Sequence, residues 1–352
     1  MSSDYENRSY LSAVEAARYL AIPVAELHEL VKRKLLRARK AASGQYRFDI
    51  GEIRRLEKSN LSPHASEARP VEEVTTLRVN DTSQTIYVKN SQRMTELPDD
   101  SIHLMLTSPP YFDAKMYAKE PGAHDLGEIH DLDAWFHEIG KVWQEVFRVL
   151  QPGRKAFINI MNLPVREKSG FRTLNLAGRT VDTCEKLGFV FKRDIIWQKT
   201  NSVRAHFGTY PYPGGILLNH AHEFILEFEK PAPKGYKKYA HLSAEQKEAS
   251  KLDKDFWLSL KKSDVWLMKP QGSGDRRSHV APFPYELPYR LIRAYSFVGE
   301  TVLDPFLGSG TALVVARDLG RNGVGYEINP DIAAEAIDRI GTERTESQEN
   351  LS

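Results

Sequence analysis

Two short stretches of the 352-residue chain carry residues whose types and spacing could do chemistry. The first is LTSPPYF (residues 106–112), where an apolar run stops at Ser108 and gives way to Pro109, Pro110 and the ring of Tyr111. The second is VLDPFLGSGTALVVARDLG (residues 302–320), an apolar run leading through a glycine-bearing turn into a helical pattern. In that turn Gly308 and Gly310 let the backbone approach a ligand closely, and a helix opening near Thr311 points its free amides at it. The next apolar run ends at Glu327, 17 residues past Gly310, where a carboxylate can accept hydrogen bonds from both hydroxyls of a ribose. The ligand is therefore expected to contain a nucleoside. No Gly-Lys-Ser/Thr accompanies the glycines, which excludes a Walker-type phosphate loop. A dinucleotide stays open at this point, although Asp304 would repel its pyrophosphate. The same charge would attract the amine and sulfonium of S-adenosyl-L-methionine, so its sign favours that cofactor.

Both stretches need strands to present them. SIHLMLT, KAFINIM, FVFKRDIIWQK, HEFILEFEK, ETVLD and GVGYEI read as strands. They alternate with amphipathic helices, the longest being DLDAWFHEIGKVWQEVFRVL, with Leu132, Trp135, Phe136, Ile139, Val142, Trp143 and Val146 at helical spacing. Such alternation implies an α/β fold with a doubly wound, mostly parallel sheet whose ligands sit at the carboxyl ends of the strands. Both stretches fall at such ends.

The expected organisation has five parts. Residues 1–58 form a small unit, with helices in AVEAARYL and over residues 24–33, a hairpin turning at Ser43 and Gly44, and a helix in IGEIRRLEKS. Residues 59–76, SNLSPHASEARPVEEVTT, read as a linker. The main domain spans residues 77–340, with a basic, loop-rich insertion at 201–277, and residues 341–352 are a polar tail. The first unit resembles the winged helix-turn-helix of the MerR and phage-excisionase type. In that arrangement Glu26, His28, Glu29, Lys32 and Arg33 would lie on the exposed side of the recognition helix.

Residues 86–340 resemble the amino-methylating DNA methyltransferases, which modify N4 of cytosine or N6 of adenine. In that family DPFLGSGT is the cofactor loop and TSPPY the catalytic loop. The resemblance implies S-adenosyl-L-methionine as cofactor, contacted by Asp304, Pro305, Phe306, Gly308, Ser309, Gly310, Thr311 and Glu327. It further implies a contact to the adenine amino group from Asn90, where the family usually carries Asp. The catalytic loop precedes the cofactor loop, the order of the β group of DNA enzymes, whose target-recognition region corresponds to residues 201–277.

The resemblance also explains the opening stretch. An exocyclic amine is a poor nucleophile because its lone pair is delocalised into the base. Ser108 Oγ and the Pro109 carbonyl can each accept one amine hydrogen, while Pro109 and Pro110 stiffen the loop. The base must leave the duplex stack to reach them, and Tyr111 is expected to supply the aromatic face it rests on. Asp113 is the nearest carboxylate in sequence that could take the amine proton. A carbon-5 cytosine mechanism would need a cysteine nucleophile, and Cys184, the chain's single cysteine, sits in a helical pattern that makes it a core thiol.

The expected activity is thus site-specific DNA methylation at N4 of cytosine, favoured by the Ser that heads the loop, with N6 of adenine as the alternative. The expected partners are duplex DNA with a flipped base and a cognate restriction endonuclease. A transcriptional regulator with an inert methyltransferase domain and an RNA methylase are the rival readings. No stretch approaches the length of a membrane span and the start lacks a secretory pattern, so a cytoplasmic protein without a metal is expected. The net charge of +2 permits nucleic acid as partner without arguing for it.

Overall fold

The computed structural model describes residues 10–12, 16, 19–20, 27, 30–31, 36–40, 46–53, 73–112, 126, 129–167, 170–200, 218, 220–270 and 283–342. The chain divides into two compact units, residues 1–71 and 72–352. In the first, β1 (Tyr10–Ser12), β2 (Ala38–Lys40) and β3 (Tyr46–Asp49) form an antiparallel sheet in the order β1-β3-β2. Ala16, Leu27 and Leu30 lie in helical segments and are buried with Leu11, Leu36, Phe48 and Ile53. Asp49 opens the helical residues that follow by accepting from the amides of Gly51 and Glu52 at 2.8 and 3.2 Å. β2 and β3 pair as arms of the expected hairpin, and residues 50–53 are helical where the third helix was expected to begin. The strand Tyr10–Ser12 was not part of the sequence reading. The hairpin tip and the five recognition-helix residues lie outside the described residues.

The second unit starts earlier than expected. β4 (Glu73–Val79) occupies the end of the presumed linker and pairs with β5 (Thr82–Val88) across Asn80 and Asp81, both with positive φ (50° and 58°). Two such residues between strands make the tight turn whose twist suits a hairpin. Then follow β6 (Ile102–Thr107), α1 (Leu132–Val149), β7 (Leu150–Ile160), the hairpin β8 (Leu163–Glu167) and β9 (Gly170–Leu174), α2 (Leu176–Lys186), β10 (Val190–Lys199) and β11 (His222–Glu229). The insertion contributes α3 (Ala244–Ala249), α4 (Lys254–Lys262) and β12 (Val265–Met268). The chain continues through α5 (Glu286–Tyr295), β13 (Thr301–Asp304), α6 (Thr311–Asp318), β14 (Asn322–Glu327) and α7 (Pro330–Gly341).

The nine-stranded sheet has the order β12-β10-β11-β7-β6-β13-β14-β5-β4. Its five middle strands, β7 to β5, are parallel. Antiparallel pairings join β11 to β7 and β10 on one side and β4 to β5 on the other. One apolar cluster holds the α1 stripe of Trp135, Phe136, Ile139, Val142, Trp143 and Val146 together with Cys184, whose thiol burial pushes up, as a core role demands. The other holds Leu287, Leu291, Leu313 and Val315 against Leu104, Leu106 and Val302. With both faces covered, only the strand ends are open to a ligand. Among the described residues no helix is long and apolar enough to cross a membrane.

At the edge where the parallel strands begin, Glu300 is 1% exposed and accepts from the Arg154 guanidinium and from the Phe297 amide at 2.9 Å. His241 Nε2 lies 2.9 Å from the same carboxylate, and His103 Nδ1 accepts from the Thr301 amide at 3.1 Å. Burial and the Arg154 charge, with His241 adding to them, push His103 down to about 3. The ligand atoms of His103, His241 and Glu300 lie within 4.8 Å of one another. The guanidinium already holds the place a cation would take.

Candidate active site

β6 and β13 are parallel neighbours, with Leu303 opposite Met105, so the loops that follow them start side by side. Thr107, the last residue of β6, donates from Oγ1 to Asp304 Oδ1 at 2.6 Å, and the Phe306 amide donates to the same oxygen at 3.1 Å. The two sequence motifs are therefore joined by one hydrogen bond between residues 197 positions apart. Asp304 is 1% exposed; burial, reinforced by the charge of Glu327 and opposed by its two donors, pushes it up to about 7. A carboxylate so placed gains from a cation nearby. The bond to Thr107 gives Asp304 a part in joining the strands that the sequence reading did not foresee.

Beyond Asp304 the chain passes through Pro305 and Phe306, whose ring meets Trp143 edge-on at 5.9 Å, into the glycine turn. Gly308 and Gly310 have φ of 51° and 79°. A Cβ on Gly310 would lie 3.1 Å from Ile340 and 3.2 Å from Ala336, so both backbone angle and space favour glycine there. The Gly308 amide donates to Glu327 Oε2 at 3.0 Å and the Asn329 amide to Oε1 at 2.9 Å. Glu327 thus stands at the end of β14 as expected, and also pins the loop. Ser309 and Thr311 flank Gly310 in this turn. Both are buried, and their hydroxyls face Arg339 Nη1 at 3.0 and 3.2 Å, which also takes the Ser309 carbonyl at 2.6 Å. Their hydroxyls thus tie the glycine turn to α7.

Asn90 lies just past β5, whose Val88 is opposite Glu327, so it shares this edge. Its Oδ1 accepts from the Gln92 amide at 2.7 Å, and Gln92 Nε2 reaches Glu138 at 2.9 Å. The amide oxygen expected to meet an adenine is thereby engaged in shaping its own turn.

The catalytic loop lies on the other side of Thr107. Ser108 Oγ is 3.3 Å from Tyr111 Oη, and Asn159 Nδ2 on β7 lies 3.4 Å from Ser108 Oγ. Tyr111 is 8% exposed, packs in the core cluster beneath the loop, and donates to Glu223 Oε2 at 2.6 Å. The expected stacking platform is therefore mostly covered: the ring forms a wall with a fixed hydroxyl. Asn159 Nδ2 also donates to Glu223 Oε2, at 2.6 Å, and Lys199 Nζ pairs with Glu223 Oε1 at 2.6 Å. Sequence reasoning placed Glu223 and Asn159 in strands and gave them no chemistry; the signal was a charged residue inside a buried apolar run. Asp113 lies outside the described residues.

The donor set fits S-adenosyl-L-methionine. Two carboxylates and a left-handed glycine turn meet at the carboxyl end of β13 and β14, beside a loop with a serine hydroxyl and two rigid prolines. Residues 102–338 match the N6_N4_Mtase family of DNA methylases, and the chain belongs to that family. It is 33% identical to the Type II methyltransferase M.MthZI of Methanothermobacter thermautotrophicus over 70% of this chain and 74% of that one. It is 32% identical to M.MjaI of Methanocaldococcus jannaschii over 74% and 92%. Among solved structures, TTHA0409 of Thermus thermophilus in complex with S-adenosyl-L-methionine superposes with a TM-score of 0.56 at 33% identity, covering 72% of this chain and 93% of that one. The cytosine-N4-specific PvuII DNA methyltransferase shares the fold, with a TM-score of 0.53 at 21% identity over 75% and 89%. The protein is a DNA methyltransferase whose cofactor is S-adenosyl-L-methionine.

Proposed function

We propose that the chain methylates the exocyclic N4 amine of cytosine at a specific sequence in duplex DNA, as the modification enzyme of a restriction-modification system with a cognate endonuclease. The observation that carries this reading is the 2.6 Å bond from Thr107 to Asp304, because it sets the amine-binding loop against the cofactor loop. Ser108 at the head of the former favours cytosine by family tendency, and the Type II names of the relatives favour a modification enzyme. N6 of adenine is the second reading, since the family covers both amines.

S-adenosyl-L-methionine supplies a methyl carbon made electrophilic by its sulfonium. The residues that would hold it are Gly308 and Gly310 through their backbone, Glu327 at the ribose, Asp304 and Phe306 beneath, and Asn90 at the base. Ser108 Oγ and the Pro109 carbonyl accept the two hydrogens of a flipped amine, which turns its lone pair toward the methyl group and offsets the developing charge. Pro110 limits the motion of that carbonyl, and the wall of Tyr111 bounds the base.

Two further regions fit contact with DNA. In the insertion, Lys261 lies 4.2 Å over the exposed ring of Trp257 on α4, a basic and aromatic pairing suited to phosphate and base. The N-terminal unit, with its sheet and helical segments, fits a winged helix-turn-helix that aids DNA engagement or regulates its own gene. Incubation with duplex DNA and labelled cofactor, then digestion to nucleosides, tests the reading. N4-methylcytosine supports it, N6-methyladenine supports the second reading, and label in neither overturns both. Removing residues 1–70 should lower the slope of log affinity against log salt; an unchanged slope would mean that the unit makes no phosphate contacts.

A further inference from the structure

We infer that Glu223 receives the proton that the base amine sheds on methylation, by way of Ser108 and Tyr111. The assignment rests on the methyl-transfer reading and adds a residue to it. As the N–CH3 bond forms and the S–CH3 bond breaks, its electron pair staying on sulfur, the nitrogen carries one proton more than the neutral product. That proton needs an acceptor. A hydrogen-bonded path leads away from the atom that would receive it: Ser108 Oγ to Tyr111 Oη at 3.3 Å, and Tyr111 Oη to Glu223 Oε2 at 2.6 Å. A proton passed to Ser108 Oγ releases the serine proton to Tyr111 Oη, whose own proton moves to Glu223. Serine and tyrosine end as they began, and Glu223 ends as a carboxylic acid that re-ionises when the product leaves. The longer first step is of the kind that tightens once a substrate is bound.

The company of Glu223 suits this task. Lys199 from β10 holds Oε1 at 2.6 Å, which leaves Oε2 to face the catalytic loop. Tyr111 from the catalytic loop and the neutral Asn159 from β7 both donate to Oε2. Along its own strand His222 stacks on His220 at 4.8 Å, and burial, with the nearby His222 and Lys199, lowers the His220 pKa, which keeps a competing cation away. Asn159 is 1% exposed and its Oδ1 has no partner among the described residues. Since the carboxylate fixes Nδ2 toward itself, Oδ1 must point elsewhere. An orphaned buried acceptor beside Ser108 is what a cluster awaiting a donor group would show.

The test uses the full chain with duplex DNA in single turnover, for wild type, Glu223→Gln, Glu223→Asp and Tyr111→Phe, with cofactor and DNA affinities measured alongside. Glu223→Gln should be about 10²-fold slower and keep both affinities within about threefold. Tyr111→Phe should slow by a similar factor, because it removes one hydroxyl and breaks the path. Glu223→Asp, which keeps a carboxylate, should regain part of the rate. Transfer by Glu223→Gln at the wild-type rate, no recovery in Glu223→Asp, or a loss that tracks loss of cofactor binding would each overturn the assignment while leaving the function intact. Failure of the wild type to methylate DNA would instead remove the function, and the assignment with it.

Discussion

Two carboxylates, Glu223 and Glu300, are buried at opposite edges of one sheet, and they keep different company. Glu300, where the parallel strands begin, meets a guanidinium, a histidine and a backbone amide, all belonging to scaffold elements. Glu223, where they end, has one ammonium, and its other donors are a phenol from the catalytic loop and an amide within 3.4 Å of Ser108. Exposure does not separate them, at 5% and 1%. The difference lies in what the donors are attached to. A carboxylate satisfied by a fixed guanidinium and scaffold donors is a fastener, whereas one reached through a serine and a tyrosine can exchange protons with a bound base.

Substitutions can break or sharpen this contrast. The largest effect on stability should come from Glu300→Ala, which strands the Arg154 charge in the interior and should cost about 3–5 kcal/mol in denaturant unfolding, with the folded fraction still methylating at the normal rate. Ser108→Ala should slow transfer by about 10²-fold with cofactor affinity unchanged, as equilibrium binding would show. A drop in both would put Ser108 among the cofactor contacts.

Asp304 gives a pH signature. With its pKa raised to about 7, it is mostly protonated at pH 6 and mostly ionised at pH 8, so affinity for the cationic cofactor should rise by up to about tenfold across that range, with proton release on binding. Calorimetry in buffers of different ionisation heat would register the proton, and Asp304→Asn should flatten the dependence. The same shift predicts that this group's contribution to stability is fully present below pH 3.8 and lost as pH rises through 7, since ionisation is resisted only in the fold. The smallest effect is expected from Gly310→Ala, about 1 kcal/mol or somewhat more from the positive φ and the contact with Ile340, read as a lower melting temperature that saturating cofactor only partly restores.

Much of this was legible in the sequence because it is local. The α1 stripe, both loops, the helix after Gly310 and the carboxylate at the end of β14 follow from spacing within about 25 residues. The hairpin of β4 and β5 was also signalled, by Asn80 and Asp81 between alternating segments, but the prolines just before it read as a linker. The bonds that make the site one object were not legible. Thr107 meets Asp304 across 197 positions and Tyr111 meets Glu223 across 112, and only strand order, which spacing does not encode, brings them together. Nor was the clamp on the glycine turn: Arg339, 28 positions beyond Thr311, bonds the hydroxyls of Ser309 and Thr311, which spacing does not signal.

That arginine has a consequence for how the protein comes into being. The cradle is built by residues near the end of the chain and closed by the final described helix, while the serine it must serve is made early. A nascent polypeptide displays its SPPY segment long before anything can bring a methyl donor beside it, and contacts of such separation form late. A chain cut before Arg339 lacks the clamp on the glycine turn and should transfer no methyl group, even where its first unit already meets DNA.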